Sequence, residues 1–580
     1  MARAATPETI LLEHPDTGER REVALGFCWH MAQFGGFLPI YQREWLAAWV
    51  VSLGATFSFG LSNLVFALFY QRYLLKAWLR RGYLVLNTYP GTVDDLSRQL
   101  GVPVKAHPRR LAAGPTWEPK PTASVNTPPD TRYSARVVLT TFGTHGDLVP
   151  FIGIAKALKA LGHRPVIATS DHNKQAIEAH GIEHFAAAPH DSQHNRDTGL
   201  TQQQRIQKAF HPLTGGQYVM DTLVYPYMGP ICDELAAACE GADLLVAPPT
   251  TSWAHLVAAR CGLPWKSLIV QSLTLGVHSA QDPSVISNAL SLRPFASMLG
   301  EQRFHRWFKW MRNQARGVIK PLDAKAREYG VFDKNTHPLF EGVISPRGSI
   351  ALLAPQMLRS PMPTDLPGRV DFAGFNFFDG NVEPLSQELK DFLDAGPAPV
   401  VFSLGSSLWF QAQKFYPHWS ALCSRLGVRA IFLAGKDAWP GPLPQGQIAV
   451  GWAAVGELFP RCLAVVNPGG CGISSQVLHA GVPQLVVPFG MDQPDNAMRL
   501  VRMGAALSVS PAWGKRARFE RALRRLVHDP YLHERARALR LEINQTCGTV
   551  HAARMLDAEL QAMHQGTLST SHGPIDSPHP

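Results

Sequence analysis

Charge is scarce in this sequence. Only 17% of its 580 residues are Asp, Glu, Lys or Arg, while 46% are apolar. An average soluble protein carries about 25% charged residues, so the balance excludes a disordered chain and points to strongly apolar segments. At roughly 100 to 200 residues per domain, the length also excludes a single core. CxxC pairs are missing as well. The eight cysteines (Cys28, Cys232, Cys239, Cys261, Cys423, Cys462, Cys471 and Cys547) are thinly spread and are expected to be reduced and mostly buried. The first residues, MARAATPETILLEHPDTGER, lack the basic start, apolar stretch and cleavage site of a secretory signal. The bulk of the protein is therefore expected in the cytoplasm. Lys and Arg exceed Asp and Glu by ten, but no aromatic-interleaved basic patch accompanies the surplus. The basic run from Lys515 to Arg540 is broken by acids and Pro530, so nucleic acid is not an expected partner.

The 26 residues from Trp45 to Tyr70, near the start of the chain, carry no formal charge. This run exceeds the roughly 20 residues that a spanning helix needs. A second uncharged run, Val23 to Gln42, contains Gly35, Gly36 and Pro39 and suits an interfacial arm better than a continuous helix. Arg72, Lys76, Arg80 and Arg81 follow at helical spacing, as a basic face beside a membrane would require. The expectation is a small helical, membrane-associated module over residues 1–110, with residues 23–81 at the inner face of the cytoplasmic membrane. The competing reading is a buried helical hairpin, because Ser52, Ser58, Ser62 and Asn63 dilute the apolar run. A Pro-rich linker over 111–135 and a polar, Pro-rich tail over 566–580 are expected to flank the rest.

Between linker and tail, short apolar strands alternate with helical stretches. The run Val137 to Thr141 meets a glycine turn and then a helix carrying Leu148, Phe151, Ile152, Ala155 and Leu158 on one face. A second series begins at PVVFSLGSS and runs through RAIFLAG, QIAVGW, LAVVNPGG and VPQLVVPFG. This alternation predicts an α/β fold of two facing Rossmann-like domains, 136–375 and 376–565, with ligands at the carboxyl ends of the strands.

One segment carries more than fold. VVNPGGCGISSQVLHAGVPQLVVPFGMDQPDNA, from Val465 to Ala497, runs from a buried strand through Gly469, Gly470 and Gly472 into a helix. Such a turn lets backbone N–H groups approach an anion, and the helix amino end adds about half a positive charge. The stretch resembles the donor-binding box of the family 1 glycosyltransferases of GT-B fold. Within them it is similar to the bacterial rhamnosyltransferase, sterol glucosyltransferase and macrolide glycosyltransferase branch. GTHGDLVP and SLGSS are two further points of resemblance.

The resemblance implies an inverting, metal-independent transfer of a hexose or deoxyhexose from a UDP- or dTDP-linked sugar to a hydroxyl, with no other cofactor. It places the acceptor-activating base at Asp147, with His145 as the fallback. As a structural alternative, Asp147 would cap a helix beginning at Leu148. Donor contacts fall on Ser406, Trp452, Gly469, Gly470, Gly472, Ser474, Ser475, Gln476, Asp492 and Gln493, with Asn496 in support. Trp452 would stack on the nucleobase, with a buried core Trp as the rival reading. Thr250, Thr251 and Ser252 follow a strand of the first half and are candidates to touch the acceptor. The aromatic region from His190 to Met311 suits a hydrophobic, lipid-like one.

Two positions depart from the family pattern. Pro468 stands where the family keeps a phosphate-contacting His, and Ile473 stands where it keeps Thr or Ser. Proline offers neither a side-chain donor nor an N–H, which removes a charge-assisted hydrogen bond of roughly 1.5 to 3 kcal/mol. Ser474, Ser475 and Asn467 are the candidates to compensate. The alternative these changes raise is a catalytically impaired scaffold acting as a membrane-tethered binding protein.

Overall fold

The computed structural model describes residues 133–566 except 191–196, 212–213, 289, 335, 381–382, 435–441, 512–515 and 544–546. Before them it describes 9–13, 20–24, 73–81, 83–89 and positions 96, 97, 100 and 104.

The amino-terminal region is a mixed α/β unit in its described part, which corrects the expected small helical module. Strands β1 (Thr9–Glu13), β2 (Arg20–Ala24) and β3 (Leu84–Tyr89) form an antiparallel sheet of order β2-β1-β3. Leu74, Leu75 and Trp78 of the helix over 73–80 bury against Ile10, Leu12 and Val85, so the apolar face of this helix is spent on a protein core. The candidate spanning run from Trp45 to Tyr70, and the candidate arm beyond Ala24, lie outside the described residues. Among the described residues no helix is long and apolar enough to cross a membrane.

The first large half is a seven-stranded parallel sheet. Its strands are β4 (Arg136–Thr140), β5 (Arg164–Thr169), β6 (Glu183–Ala186), β7 (Leu244–Ala247), β8 (Trp265–Ile269), β9 (Ser349–Ala351) and β10 (Val370–Phe372), in the order β10-β9-β8-β7-β4-β5-β6. Buried Val137, Val138, Leu139 and Thr140 make β4 a central strand covered on both faces. Helix α1 (His145–Ala160) follows it. Away from this pair, α2 (Arg293–Leu299) and α3 (Glu301–Gln314) form an aromatic hairpin turned by Gly300 at φ 72°.

The second half is a six-stranded sheet of β11 (Val400–Ser403), β12 (Ala430–Leu433), β13 (Gln447–Val450), β14 (Ala464–Asn467), β15 (Gln484–Val486) and β16 (Ala506–Ser508), in the order β13-β12-β11-β14-β15-β16. Helix α4 (Cys471–Ala480) follows β14 and α5 (Gln493–Met503) follows β15. In each sheet the chain winds outward both ways from its first strand, β4 or β11. That reversal leaves a crevice at the strands' carboxyl ends.

The last helix, α6 (Gly548–His564), belongs by sequence to the second half but packs in the core of the first. Ala552, Ala553, Leu556 and Leu560 bury against the Phe151, Ile152 and Ala155 side of α1. Gly153 permits the approach, since a Cβ there would stand 3.0 Å from Thr549 Cγ2. His163 meets Asp557 at 3.0 Å beside the same interface.

Candidate functional site

A cavity of about 1220 Å³ lies between the two halves and is lined by the loops that follow β4, β7, β8, β11, β13, β14 and β15. Two helix amino ends meet in it. A Cβ on Gly472 would lie 3.9 Å from the carbonyl of Gly146, so the first turns of α1 and α4 face each other closely.

Asp147 is the third residue of α1, which begins at His145 with Thr144 as its N-cap. The expected cap role is thereby corrected: Asp147 closes the cap from inside the first turn. Its Oδ2 accepts from Thr144 N at 2.8 Å and Thr144 Oγ1 at 3.1 Å, and its Oδ1 accepts from Gln271 Nε2 at 3.4 Å. Burial pushes the Asp147 carboxyl above the usual carboxylate value, and the three hydrogen bonds pull the other way. Gly143, at φ 141°, is required here, because a Cβ would stand 2.3 Å from Asp147 Oδ2. His145 lines the cavity and meets Trp452 edge to face, ring centroids 6.5 Å apart. Desolvation, with His180 adding to it, lowers the His145 imidazole below its ordinary value.

Across the cavity, no side chain caps α4, and its first turn of Cys471 and Gly472 faces the opening. Its N–H groups are the unclaimed donors of a helix start. Gly469 adopts φ 90°, with a virtual Cβ 2.6 Å from Val486 Cγ1, so only glycine fits. Its N–H donates to Asn467 Oδ1 at 2.8 Å and its carbonyl accepts from Asn496 Nδ2 at 2.9 Å. Gly469 therefore frames the loop, and Gly470 and Gly472 line the cavity.

The proposed substitutes for the family His engage their polar groups within the protein, although Ser475 lines the cavity. Ser474 Oγ lies 3.4 Å from Asn467 Oδ1, outside the cavity lining. The single Ser475 hydroxyl proton is shared between Gly472 O at 2.8 Å and Asn376 O at 3.0 Å. Asn467 is buried, its amide bonded to Gln484 Oε1 at 2.9 Å. Pro468 and Ile473 themselves face the cavity, and no Lys or Arg occurs among the described lining residues.

Asp492 precedes α5 and lines the same space. Its Oδ2 accepts from Asn496 Nδ2 at 2.6 Å and from the Cys471 thiol at 3.6 Å. Burial, then the negative charge of Asp147, pushes the Asp492 carboxyl up to about 7. The neighbouring Cys471 thiol is raised well above its ordinary value by burial and by Asp492. Gln493 Oε1 accepts from Phe489 N at 2.9 Å, tying the loop down. Met491, just before Asp492, holds a left-handed φ of 56°.

Ser406 lines the cavity in the loop after β11, and Trp452 is 71% exposed to it, which corrects the buried-core alternative. Gln476 is buried with its Oε1 unpartnered. On the first half's side, Thr250 and Ser252 line the cavity, whereas the Thr251 hydroxyl donates to Pro248 O at 2.8 Å within its own turn. The Ser252 hydroxyl is buried without a partner. Gln271 and Cys471 are site residues that the sequence motifs do not single out. Gln271 follows β8, and its position after a central strand is the available signal.

The halves are also locked. Arg499 of α5 is completely buried between Asp495, whose Oδ2 accepts from Arg499 Nε at 2.8 Å, and Asp282 of the first half. Arg502 Nη1 donates to Asp282 Oδ1 at 2.6 Å.

Comparison with known proteins agrees with this architecture. Residues 432–555 match the model of the erythromycin biosynthesis protein CIII-like C-terminal domain, and residues 137–215 match the glycosyltransferase family 28 N-terminal domain. The O-mycaminosyltylonolide 6-deoxyallosyltransferase of Streptomyces fradiae is 29% identical over 455 residues, covering 76% of this chain and all of the relative. A sterol 3-beta-glucosyltransferase of Leptosphaeria maculans is 24% identical over 76% of this chain, which spans only 30% of that relative's length. Among solved structures, the glycotransferase of kitacinnamycin superposes with a TM-score of 0.55 at 20% identity, covering 74% of this chain and 100% of its own. The glycosyltransferase VinC, solved in complex with DTDP, does so at 0.52 and 22%, covering 73% and 99%. Two sheets that each reverse at their first strand, and similarity to sugar transferases over three quarters of its length, give this chain a GT-B fold and mark it as a glycosyltransferase.

Proposed function

We infer that the protein moves a hexose or deoxyhexose from a nucleoside diphosphate sugar to a hydroxyl of a hydrophobic acceptor, with inversion. The observation that carries this reading is the presence, in one cavity, of the Asp147 carboxylate from the first half and the uncapped amino end of α4 from the second. Asp147, made more basic by burial, takes the acceptor O–H proton as the oxygen bonds to the anomeric carbon. The bond from that carbon to the diphosphate breaks with its electron pair leaving on the diphosphate. The Cys471 and Gly472 N–H groups and the helix dipole receive the resulting charge, so the scheme needs no metal ion. Asp492 and Gln493 would hold the sugar hydroxyls, Trp452 the base, and the unpartnered Gln476 Oε1 a ribose hydroxyl. A dTDP-linked donor is favoured by the DTDP bound to VinC and by the deoxyhexose in the name of the Streptomyces fradiae relative. Ile286, Val219, Met220, Val224 and Leu339 give the acceptor end an apolar wall, and the Ser252 hydroxyl supplies one polar anchor.

The second reading, a binding protein with an impaired donor site, is favoured by one specific observation. Ser474 and Ser475 spend their hydroxyls inside the protein, so neither supplies the phosphate hydrogen bond that Pro468 cannot make. A panel of dTDP- and UDP-sugars offered to the purified full chain separates the two. Release of nucleoside diphosphate with a hydrophobic alcohol present supports transfer. Thermal stabilisation by donor without release supports the binding protein. Neither response from an intact fold overturns both.

A further inference from the structure

The α2–α3 hairpin carries an exposed surface that the transfer reaction leaves unused. Met298 is 68% and Trp310 60% exposed, and Phe295 is also exposed. These are not scattered. Phe295 stacks on Trp307 with ring centroids 4.7 Å apart, Met298 is three residues from Phe295 on α2, and Trp310 is three from Trp307 on α3. Residues three apart on a helix are neighbours, so the four side chains form one continuous apolar ridge. The opposite face of α3 is spent on the protein: Phe304 and Phe308 are buried, and Arg312 pairs with Glu341.

Charge selects what the ridge meets. Residues 293–320 hold seven Lys and Arg against the single acid Glu301. Arg316 is held by Asp323, whereas Arg303, Arg306 and Lys309 stand exposed beside Trp310. Aromatic side chains flanked by cations on one face of a helix match the interface of an anionic bilayer, where rings sit among the headgroups and the cations meet phosphate. A second copy of this chain, itself carrying a net charge of +10, would add to this excess instead of neutralising it. The hairpin is also continuous with the cavity: Val318, shortly after α3, is 42% exposed and lines the acceptor end.

We propose that the α2–α3 hairpin docks the enzyme on an anionic lipid surface, bringing the acceptor mouth to the membrane. Its role in delivering a lipid acceptor rests on the functional reading above, but docking does not, and the two fail separately. The test is hydrogen exchange of the full chain with and without vesicles of phosphatidylcholine, either alone or mixed with phosphatidylglycerol. Protection of peptides within 293–314 by the anionic vesicles only is the expected result. Arg306→Glu combined with Lys309→Glu should remove that protection and weaken anionic-vesicle binding by at least about tenfold. Transfer to a soluble alcohol should be unchanged by the pair. Three outcomes overturn the proposal: protection confined to other parts of the chain, equal protection by uncharged vesicles, or concentration-dependent protection of 293–314 without lipid, which would mark self-association instead.

Discussion

Ser272 Oγ, in the short helix Ser272–Gly276 after β8, donates to Asp495 Oδ2 on α5 at 2.8 Å, a buried bond between the two halves. The same hydroxyl lies 3.0 Å from Asn496 Oδ1, and Asn496 in turn donates to Asp492 at 2.6 Å. A bond that joins the domains thus leads within two side chains to the donor loop. Asn496 is held from three sides, which fixes the position of the Asp492 carboxylate.

Asp147→Asn keeps the shape of the first turn of α1 but cannot accept a proton at the carboxylate. Transfer should fall by about 10² to 10⁴, the usual contribution of a general base. Nucleotide binding, read by calorimetry, should stay unchanged. Undiminished turnover would move the role to His145.

Asp492 should make the ligand-free protein less stable as pH rises. Its folded value near 7 exceeds its unfolded value near 3.8, so the native state binds the extra proton between those limits. Stability is therefore lost progressively from about pH 4 to 7 and is level above that. The effect is at most about 4 kcal/mol at ~1.4 kcal/mol per pKa unit. Asp492→Asn should flatten this part of a melting-temperature profile, and an unchanged slope would refute the assignment.

Arg499→Met should destabilise strongly, because Asp495 and Asp282 would remain buried without their shared cation. Breaking such a pair costs about 3 to 5 kcal/mol. Although burial opposes its charge, Arg499 and Arg502 hold the Asp282 carboxyl down to about 2. Its stabilisation is complete above the ordinary value near 3.8 and is lost as pH falls from there toward 2. Acid unfolding of the wild type should show this loss, and Asp282→Asn should remove it. Gly276→Ala probes the same join, since its Cβ would stand 2.4 Å from Arg499 Nη2 and 2.2 Å from Ser284 Oγ. About 1 to 3 kcal/mol of destabilisation is expected, measured by calorimetry.

Pro468→His should tighten binding of the nucleoside diphosphate roughly 10- to 100-fold by adding a charge-assisted hydrogen bond at the mouth of α4. Unaltered affinity, measured by titration calorimetry, would show that the helix end alone sets diphosphate binding.

Residues 137–140, the glycine turns at Gly143 and Gly469, and the long box from Val465 to Ala497 are legible in the sequence because each is a local pattern. A β-branched run, a turn that only glycine can make and a largely apolar helix follow one another within about thirty residues. The sequence by itself therefore determined the two winding sheets and the loops that end them, and with them Asp147, Trp452 and Asp492 among the residues that line the cleft. What it could not determine depends on packing between residues hundreds of positions apart. Only the tertiary structure returns α6 to the core of the first half, through Gly153 and Thr549. The phase of α4 against its neighbours engages the Ser474 and Ser475 hydroxyls within the protein, while the packing of α5 buries Arg499 between carboxylates from both halves. Side-chain direction and the electrostatics of a buried carboxylate such as Asp492 are set by which surfaces close over them, and that closure is a property of the folded chain.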